Sequence, residues 1–336
     1  MKKILVTGAA GFIGSNFVRS LLCDSEFDID IIALDALTYA GNLANLADCE
    51  DRPGFRFLKG DICDTDIVDE CMAGVSVVVN FAAESHVDRS IHAAAEFIRT
   101  NVGGTQILAD AAMKHNVERF VQISTDEVYG SLGETGFFNE STPFSPNSPY
   151  SASKAAADLL MQAYHHTYKF PVVITHCSNN YGPYQFPEKL IPLFVTNLLE
   201  GKKVPVYGDG MQVRDWLHVD DHCRAIRCVM EKGRIGQVYC IGGNNEQANI
   251  DITESILRIL DMDVSFIEHV IDRLGHDRRY AIDATKIQNE LGWHPQVNFE
   301  EGLALTVEWY IQNESWWSGI KTGEYLKYCE KQYRSK

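Results

Sequence analysis

The chain has 336 residues, 45% hydrophobic, 23% charged and 10% aromatic, a balance that suits a folded globular protein and argues against disorder. Lys and Arg total 30 against 46 Asp and Glu, a net charge of −16, so the surface offers no general attraction to nucleic acid or anionic membrane, and an anionic ligand needs a local cationic pocket. No run of eighteen apolar residues exists, and the opening Met-Lys-Lys leads into an apolar stretch too short for a signal peptide. The nine Cys, scattered from Cys23 to Cys329, include no CxxC pair, so no metal site is expected and the thiols are expected to be reduced, as in a cytoplasm.

Taken in order, the first half alternates short β-like runs with helical stretches. Strands are predicted over 4–7, 29–34, 56–59, 75–81, 120–124 and 172–176, and helices over 12–23, 65–72, 93–114 and 152–168. Apolar strands without alternation, separated by helices, predict a parallel sheet covered on both faces: an α/β, doubly wound Rossmann fold. Gly8, Gly11 and Gly14 follow the first strand and open the first helix, with Phe12 and Ile13 between them. Such glycines permit a tight turn, close approach of a pyrophosphate and close helix–strand packing, and the helix N-terminus adds a positive dipole end.

Asp35 ends the second strand about twenty residues after the glycines, where a carboxylate can accept both ribose hydroxyls and repel an extra phosphate; NAD is therefore expected. Ala36, Leu37 and Thr38 after Asp35, Asp61 and Ile62 after the third strand, and Phe81, Ala82, Ala83 and Ser85 after the fourth are expected to border the same cofactor, with Thr100 on the following helix.

Ser124-Thr125-Asp126-Glu127 follows the fifth strand, where ligands of such sheets bind. Two adjacent carboxyls beside one ligand are expected to differ in acidity, one serving as acid and one as base. Tyr150 and Lys154 lie four apart on a predicted helix and so share a face. A nearby ammonium favours the phenolate and is expected to lower the Tyr150 pKa.

After about Ser178 the texture changes to Gly, Pro and aromatic loops, with helices predicted over 190–200, 219–231, 252–260, 284–291 and 299–313 and one strand over 236–241. We expect a dinucleotide-binding domain over 1–178, with 236–241 returning to its sheet, and a smaller mixed α/β substrate domain over 179–336.

Three stretches carry a resemblance: 82–91 (Ala-Ala-Glu-Ser-His-Val-Asp-Arg-Ser-Ile), 124–130 (Ser-Thr-Asp-Glu-Val-Tyr-Gly) and 178–190 (Ser-Asn-Asn-Tyr-Gly-Pro-Tyr-Gln-Phe-Pro-Glu-Lys-Leu). Over nearly its whole length the chain resembles the extended short-chain dehydrogenase/reductases and, within them, the dTDP-glucose 4,6-dehydratases. The resemblance implies that Tyr150 takes the sugar C4 hydroxyl proton, Thr125 bonds that oxygen, Glu127 removes the C5 proton and Asp126 protonates the departing C6 hydroxyl. It implies that Lys154 holds the nicotinamide ribose, Asn180 touches the cofactor, and Ser85, Thr125, Asn179, Lys189, Leu190, Pro205, Tyr207, Arg214, Asn249, Arg273 and His276 touch the nucleotide sugar. Lys189, Arg214 and Arg273 are the cations for its diphosphate. Two residues depart from the pattern: His176 stands where Arg is frequent, and Leu274 where Pro is frequent.

A UDP-glucose or other NDP-hexose 4,6-dehydratase shares these features. A nucleotide-sugar 4-epimerase or decarboxylase has no need of Asp126 beside Glu127, and a silent NAD-binding regulator has no need of the whole set. Surplus apolar residues on two helices, Ile98, Val102, Ile107 and Leu108 on one and Leu159, Leu160, Met161 and Tyr164 on the other, predict a homodimer, as the resemblance also implies.

Overall fold

The computed structural model describes residues 2–23, 29–323, 325 and 332; Cys329 lies outside them. Six strands open the chain: β1 (Lys2–Thr7), β2 (Ile29–Asp35), β3 (Phe55–Lys59), β4 (Val77–Asn80), β5 (Arg119–Thr125) and β6 (Val172–Cys177). Three short strands follow, β7 (Asn179–Tyr181), β8 (Val204–Tyr207) and β9 (Val213–His218), before β10 (Val238–Ile241), β11 (Glu246–Ala248) and β12 (Ile267–Val270). The main sheet has the order β10-β6-β5-β4-β1-β2-β3, and every pairing in it is parallel. Its order reverses between β1 and β4, the position at which such sheets bind ligands.

Side chains alternate across this sheet, so each strand feeds two cores. Ile4 and Val6 of β1 join Ile31, Val77, Val79, Val121 and Val173 on one face, packed by helices α1 (Phe12–Leu22), through Phe17 and Leu21, and a later helix through Ile226 and Val229. Leu5 joins Ile32, Val78, Phe120 and Val172 on the other face. That face is covered by α2 (Thr65–Met72) and by two long segments described next.

The helix expected over 93–114 is divided. After α3 (Val87–His92), which sequence reasoning left out, come α4 (Ala94–Phe97), a π-helical segment Ile98–Gly104 and α5 (Thr105–Lys114). The interruption coincides with Gly103 and Gly104, poor helix formers. A side chain at Gly104 would strike Ile62, at 2.5 Å. Asn101 in the π segment bonds both backbone groups of Glu84 and the Ser153 hydroxyl, which fixes the altered winding. Ser153 belongs to α6 (Pro149–Tyr168), which begins with Ser148 and Ser151 in a capping box and Pro149 in its first turn.

The later helices are α7 (Leu190–Leu199), α8 (Val219–Lys232), α9 (Asn249–Ile259), α10 (Thr285–Leu291), α11 (Phe299–Gln312) and α12 (Glu314–Ile320). They serve two cores. Val219, Ile226, Tyr239, Ile287 and Trp293 join the sheet, whereas Phe194, Trp216, Ile252, Leu303, Tyr310 and Trp317 form a separate apolar cluster. Two small sheets, β11-β9-β7 and β12-β8, shape this second unit. Among the described residues no helix is long and apolar enough to cross a membrane.

Asp221 on α8 joins the two parts of the chain. Its buried carboxylate accepts the Gln296 and Val297 amides at 2.7 and 2.9 Å, its carbonyl accepts the Trp293 indole, and Arg224 pairs with it. Asp221→Ala leaves two backbone N–H groups without acceptors and is expected to cost roughly 3 kcal/mol, read as a lower urea midpoint at unchanged slope.

Candidate active site

Strand ends build the site. At the end of β1, Gly8 takes a φ of +63°, and a Cβ there would lie 2.7 Å from the Ala82 nitrogen beyond β4. A Cβ on Gly14 would lie 2.2 Å from the Gly8 carbonyl. Both positions therefore demand glycine, and the cradle they leave opens on the N-terminus of α1, which no side chain caps. This is the backbone that a pyrophosphate requires, and the remaining donors and acceptors fit NAD.

The cleft has a cavity volume of about 390 Å³ and brings together Gly8, Gly11, Phe12, Ile13, Gly14, Asp35, Ala36, Thr38, Asp61, Ile62, Phe81, Ala82, Ala83, Ser85, Thr100, Tyr150, Lys154 and Asn180. Leu37 is not in its wall; the Leu37 side chain packs on the core and its amide donates to Asp35 at 2.7 Å. The other Asp35 oxygen accepts the Ala10 amide, and burial pushes this carboxyl up against the lowering effect of the two amides.

Thr125, the last residue of β5, caps a 3₁₀ turn, Asp126–Tyr129, by accepting the Glu127 amide. The turn places Asp126 inward and buried, with one carboxyl oxygen lacking any partner, and leaves Glu127 facing the cleft. Burial raises the Asp126 pKa well above the carboxylate range, and the Glu127 charge adds to it. Burial raises Glu127 too, but Lys189, Arg273 and Arg214 pull it back. Both carboxyls are shifted upward, but only Glu127 has three cations opposing the shift.

Tyr150 and Lys154 share one buried face of α6. The expected lowering of the Tyr150 pKa is not found: burial pushes the phenol well up, the Glu127 charge adds to that, and the Thr125 hydroxyl tempers it. Lys154 is itself buried, donating to the Ile123 carbonyl at 2.7 Å, and burial lowers its pKa while Asp158 opposes the shift. Sequence spacing gave the shared face but not the cost of burying both groups.

A second cavity of about 160 Å³ meets the first at Glu127, Asn179, Asn180, Gln185, Glu188 and Lys189. Its wall holds Leu190, Pro205, Tyr207, Arg214, Asn249, Arg273 and His276. Arg214 is held by the Val213 and Asp277 carbonyls and lies over the Tyr280 ring, while Arg273 lies 3.4 Å from Asp88. Burial and Arg273 depress His276 to about 4, so it is neutral at pH 7 and can both donate and accept. Ser85 is absent from this second wall, but its carbonyl accepts the Lys189 ammonium at 3.2 Å. Leu274 is 80% exposed and outside both walls, so its departure leaves Arg273 and His276 in place. His176 is buried beneath the site and paired with Asp158.

Sequence reasoning missed a cluster between the cavities: Arg89 on α3 donates twice to the buried Glu188 and stacks 3.8 Å from the Tyr39 ring centre. The pair of half-buried Arg89 and buried Glu188 joins residues 99 apart, a separation that no local pattern signals.

Fold and site together define a dinucleotide-dependent α/β enzyme whose second cavity is cationic and faces paired carboxyls. The chain matches the family described as GDP-mannose 4,6 dehydratase over residues 5–306 and belongs to that family. It is 54% identical to the dTDP-glucose 4,6-dehydratase of Streptomyces niveus, over 95% of this chain and 96% of that one. The solved dTDP-glucose 4,6-dehydratase of Streptomyces venezuelae, with NAD bound, is 53% identical at a TM-score of 0.92, covering 95% of this chain and 100% of that one. That of Bacillus anthracis, in complex with NAD, is 54% identical at a TM-score of 0.90, covering 96% and 100%.

The Asp126 environment has a consequence for stability. A carboxyl whose folded pKa is raised keeps its proton after the unfolded chain has lost it, so stability falls as pH rises from the ordinary value of about 3.9 through the folded value. Asp126→Asn keeps the shape without the ionisation. Its melting temperature is expected to exceed the wild-type value increasingly across that window, and parallel curves would contradict the assignment.

Proposed function

We propose that the protein is an NAD-dependent dTDP-glucose 4,6-dehydratase, a hydro-lyase of nucleotide-sugar metabolism. The observation that carries this reading is the pairing of a buried, high-pKa Asp126 with a cleft-facing Glu127 where the two cavities meet, beside Tyr150. An epimerase needs no such pair, because it eliminates nothing.

Bound NAD would accept hydride from C4, return it at C6 and place positive charge beside Tyr150. Tyr150 takes the C4 hydroxyl proton while Thr125 holds that oxygen by a hydrogen bond. Since the protein alone, Lys154 included, raises the Tyr150 pKa, the phenolate depends on the positive charge that bound NAD would add. The C4 ketone acidifies the C5 proton; Glu127 removes it and delivers a proton back to C5 when hydride is returned at C6. Asp126, whose proton burial favours, gives it to the C6 hydroxyl, which leaves as water. Lys189, Arg214 and Arg273 hold the diphosphate against the −16 net charge of the chain. Lys154 and Asn180 hold the cofactor.

Further, we infer a cytoplasmic homodimer. Ile98 and Leu159, 53% and 54% exposed, leave apolar surface on the π segment and α6, and the described cysteines are free thiols. Light scattering at micromolar concentration is expected to give twice the 37.7 kDa chain mass.

Mixing with dTDP-glucose is expected to release water with no net NADH, read by mass spectrometry, and a panel of NDP-hexoses tests the base. Tyr150→Phe is expected to yield neither product nor bound NADH. Asp126→Asn and Glu127→Gln are expected to oxidise C4 yet stall, so NADH absorbance accumulates with the wild-type product missing. Dehydration at the wild-type rate by both carboxyl variants would remove the elimination roles.

A further inference from the structure

Directly behind the catalytic residues lies a buried polar cluster that the reaction above does not use. Asp158 sits one turn beyond Lys154 on the same face of α6 and is fully buried. One of its oxygens accepts the Ser124 hydroxyl at 2.5 Å and lies 3.2 Å from His176 Nε2. The other has no hydrogen-bond partner. On its far side His176 Nδ1 meets the Tyr129 hydroxyl at 2.5 Å. The cluster therefore ties three elements of the site: α6 with Tyr150 and Lys154, the end of β5 with its 3₁₀ turn, and β6, which leads into Asn179 and Asn180.

The cluster also carries charge. Lys154 is an ammonium buried with a neutral carbonyl as its acceptor, a costly arrangement without a counter-charge nearby. The cleft that Lys154 lines also holds the titratable groups Tyr150, Asp126, Glu127, Glu96, Arg99 and Cys177, while Asp158 follows Lys154 on α6 with His176 against it. Asp158, four residues on along the same buried face of α6, is the acidic group set closest to Lys154 in the helix, and its charge favours the ammonium. Burial favours the neutral form of Asp126, and Glu127 lines the cationic cavity.

We infer that Asp158, held in place by Ser124 and His176, is a positioning residue for the first hydride transfer, keeping Lys154 charged beneath Tyr150. The inference rests on the dehydratase reading. Asp158 touches neither cofactor nor sugar; it acts through Lys154. Its counter-charge should set the alkaline limit of C4 oxidation, because that step fails once Lys154 loses its proton.

The test is single-turnover formation of bound NADH from dTDP-glucose, followed against pH. Asp158→Asn keeps an acceptor for Ser124 and removes the charge, so the alkaline limb is expected to move to lower pH while the rate well below it stays at the wild-type value. His176→Gln disturbs the same hydrogen bonds but leaves the carboxylate, and the limb is expected to stay in place. Should the single Asp158 variant fail to fold, the double variant Asp158→Asn/His176→Gln pairs two neutral amides, and the same downward shift is expected. A folded variant without the carboxylate but with the wild-type limb would overturn the inference, as would an equal shift in His176→Gln, which would assign the effect to hydrogen-bond geometry. Wild-type protein that forms no NADH with dTDP-glucose would instead overturn the dehydratase reading, and this inference with it.

Discussion

Parallel strands end on one edge of a sheet, and here six of them end at one cleft. β1 leads into Gly8, β2 ends at Asp35, β3 leads to Asp61, β4 to Phe81, β5 ends at Thr125 and β6 leads to Ser178; all of these residues line the cofactor wall. The arrangement holds only while β1 and β4 stay close beyond their last paired residues, Thr7 and Asn80. Gly8 permits that approach, and the Thr7 hydroxyl bonding Asn80 at 2.6 Å secures it inside the sheet. Asn80 in turn donates to Gln122 on β5, so a buried polar row spans the three strands whose ends matter most. Thr7, Asn80 and the Gln122 carbonyl oxygen are satisfied within this row, although the Gln122 amide nitrogen is left without a partner.

Burial then does chemical work. Low polarity drives Asp126 towards its neutral form, holds Tyr150 protonated in the protein alone and weakens the hold of Lys154 on its proton. Each shift runs against the charged form, so the site must be completed by charges that oppose it. Asp158 opposes it at Lys154; Lys189, Arg273 and Arg214 oppose it at Glu127. The acidic balance of the whole chain is no obstacle, because these cations are gathered in one cavity wall, where screening is weaker than on the open surface.

What was legible in the sequence was local. The glycines, Asp35 and the Tyr150–Lys154 pair obey spacings of a few residues, and the apolar strands announced the parallel sheet. Asp126 and Glu127 were legible because they follow a strand end. The π segment was not, since its winding answers to Asn101 bonding the Glu84 backbone and Ser153 on another helix. β7, β8, β9, β11 and β12 were missed because they lack the unbroken branched apolar runs of the main sheet and lie among Gly, Pro, Asn and charged residues. The Tyr150 pKa was misjudged because spacing reports which groups are neighbours and says nothing of how dry their surroundings are.

The two cavities share a wall, and that wall explains why the chain interleaves its two parts. Residues 217–241 return from the second unit to pack α8 and β10 on the sheet, so the substrate side is held to the cofactor side by a core as well as by loops. At the shared wall Glu188 lines both cavities, and Arg89 and Tyr39 from the sheet side close on it. In the proposed reaction the hydride removed from C4 returns to C6 of the same sugar, so cofactor exchange is not needed in a turnover. A core that crosses between the two units, with the Arg89–Glu188 pair at the wall common to both cavities, suits that economy, because the two ligand sites are held in one fixed relation throughout the turnover.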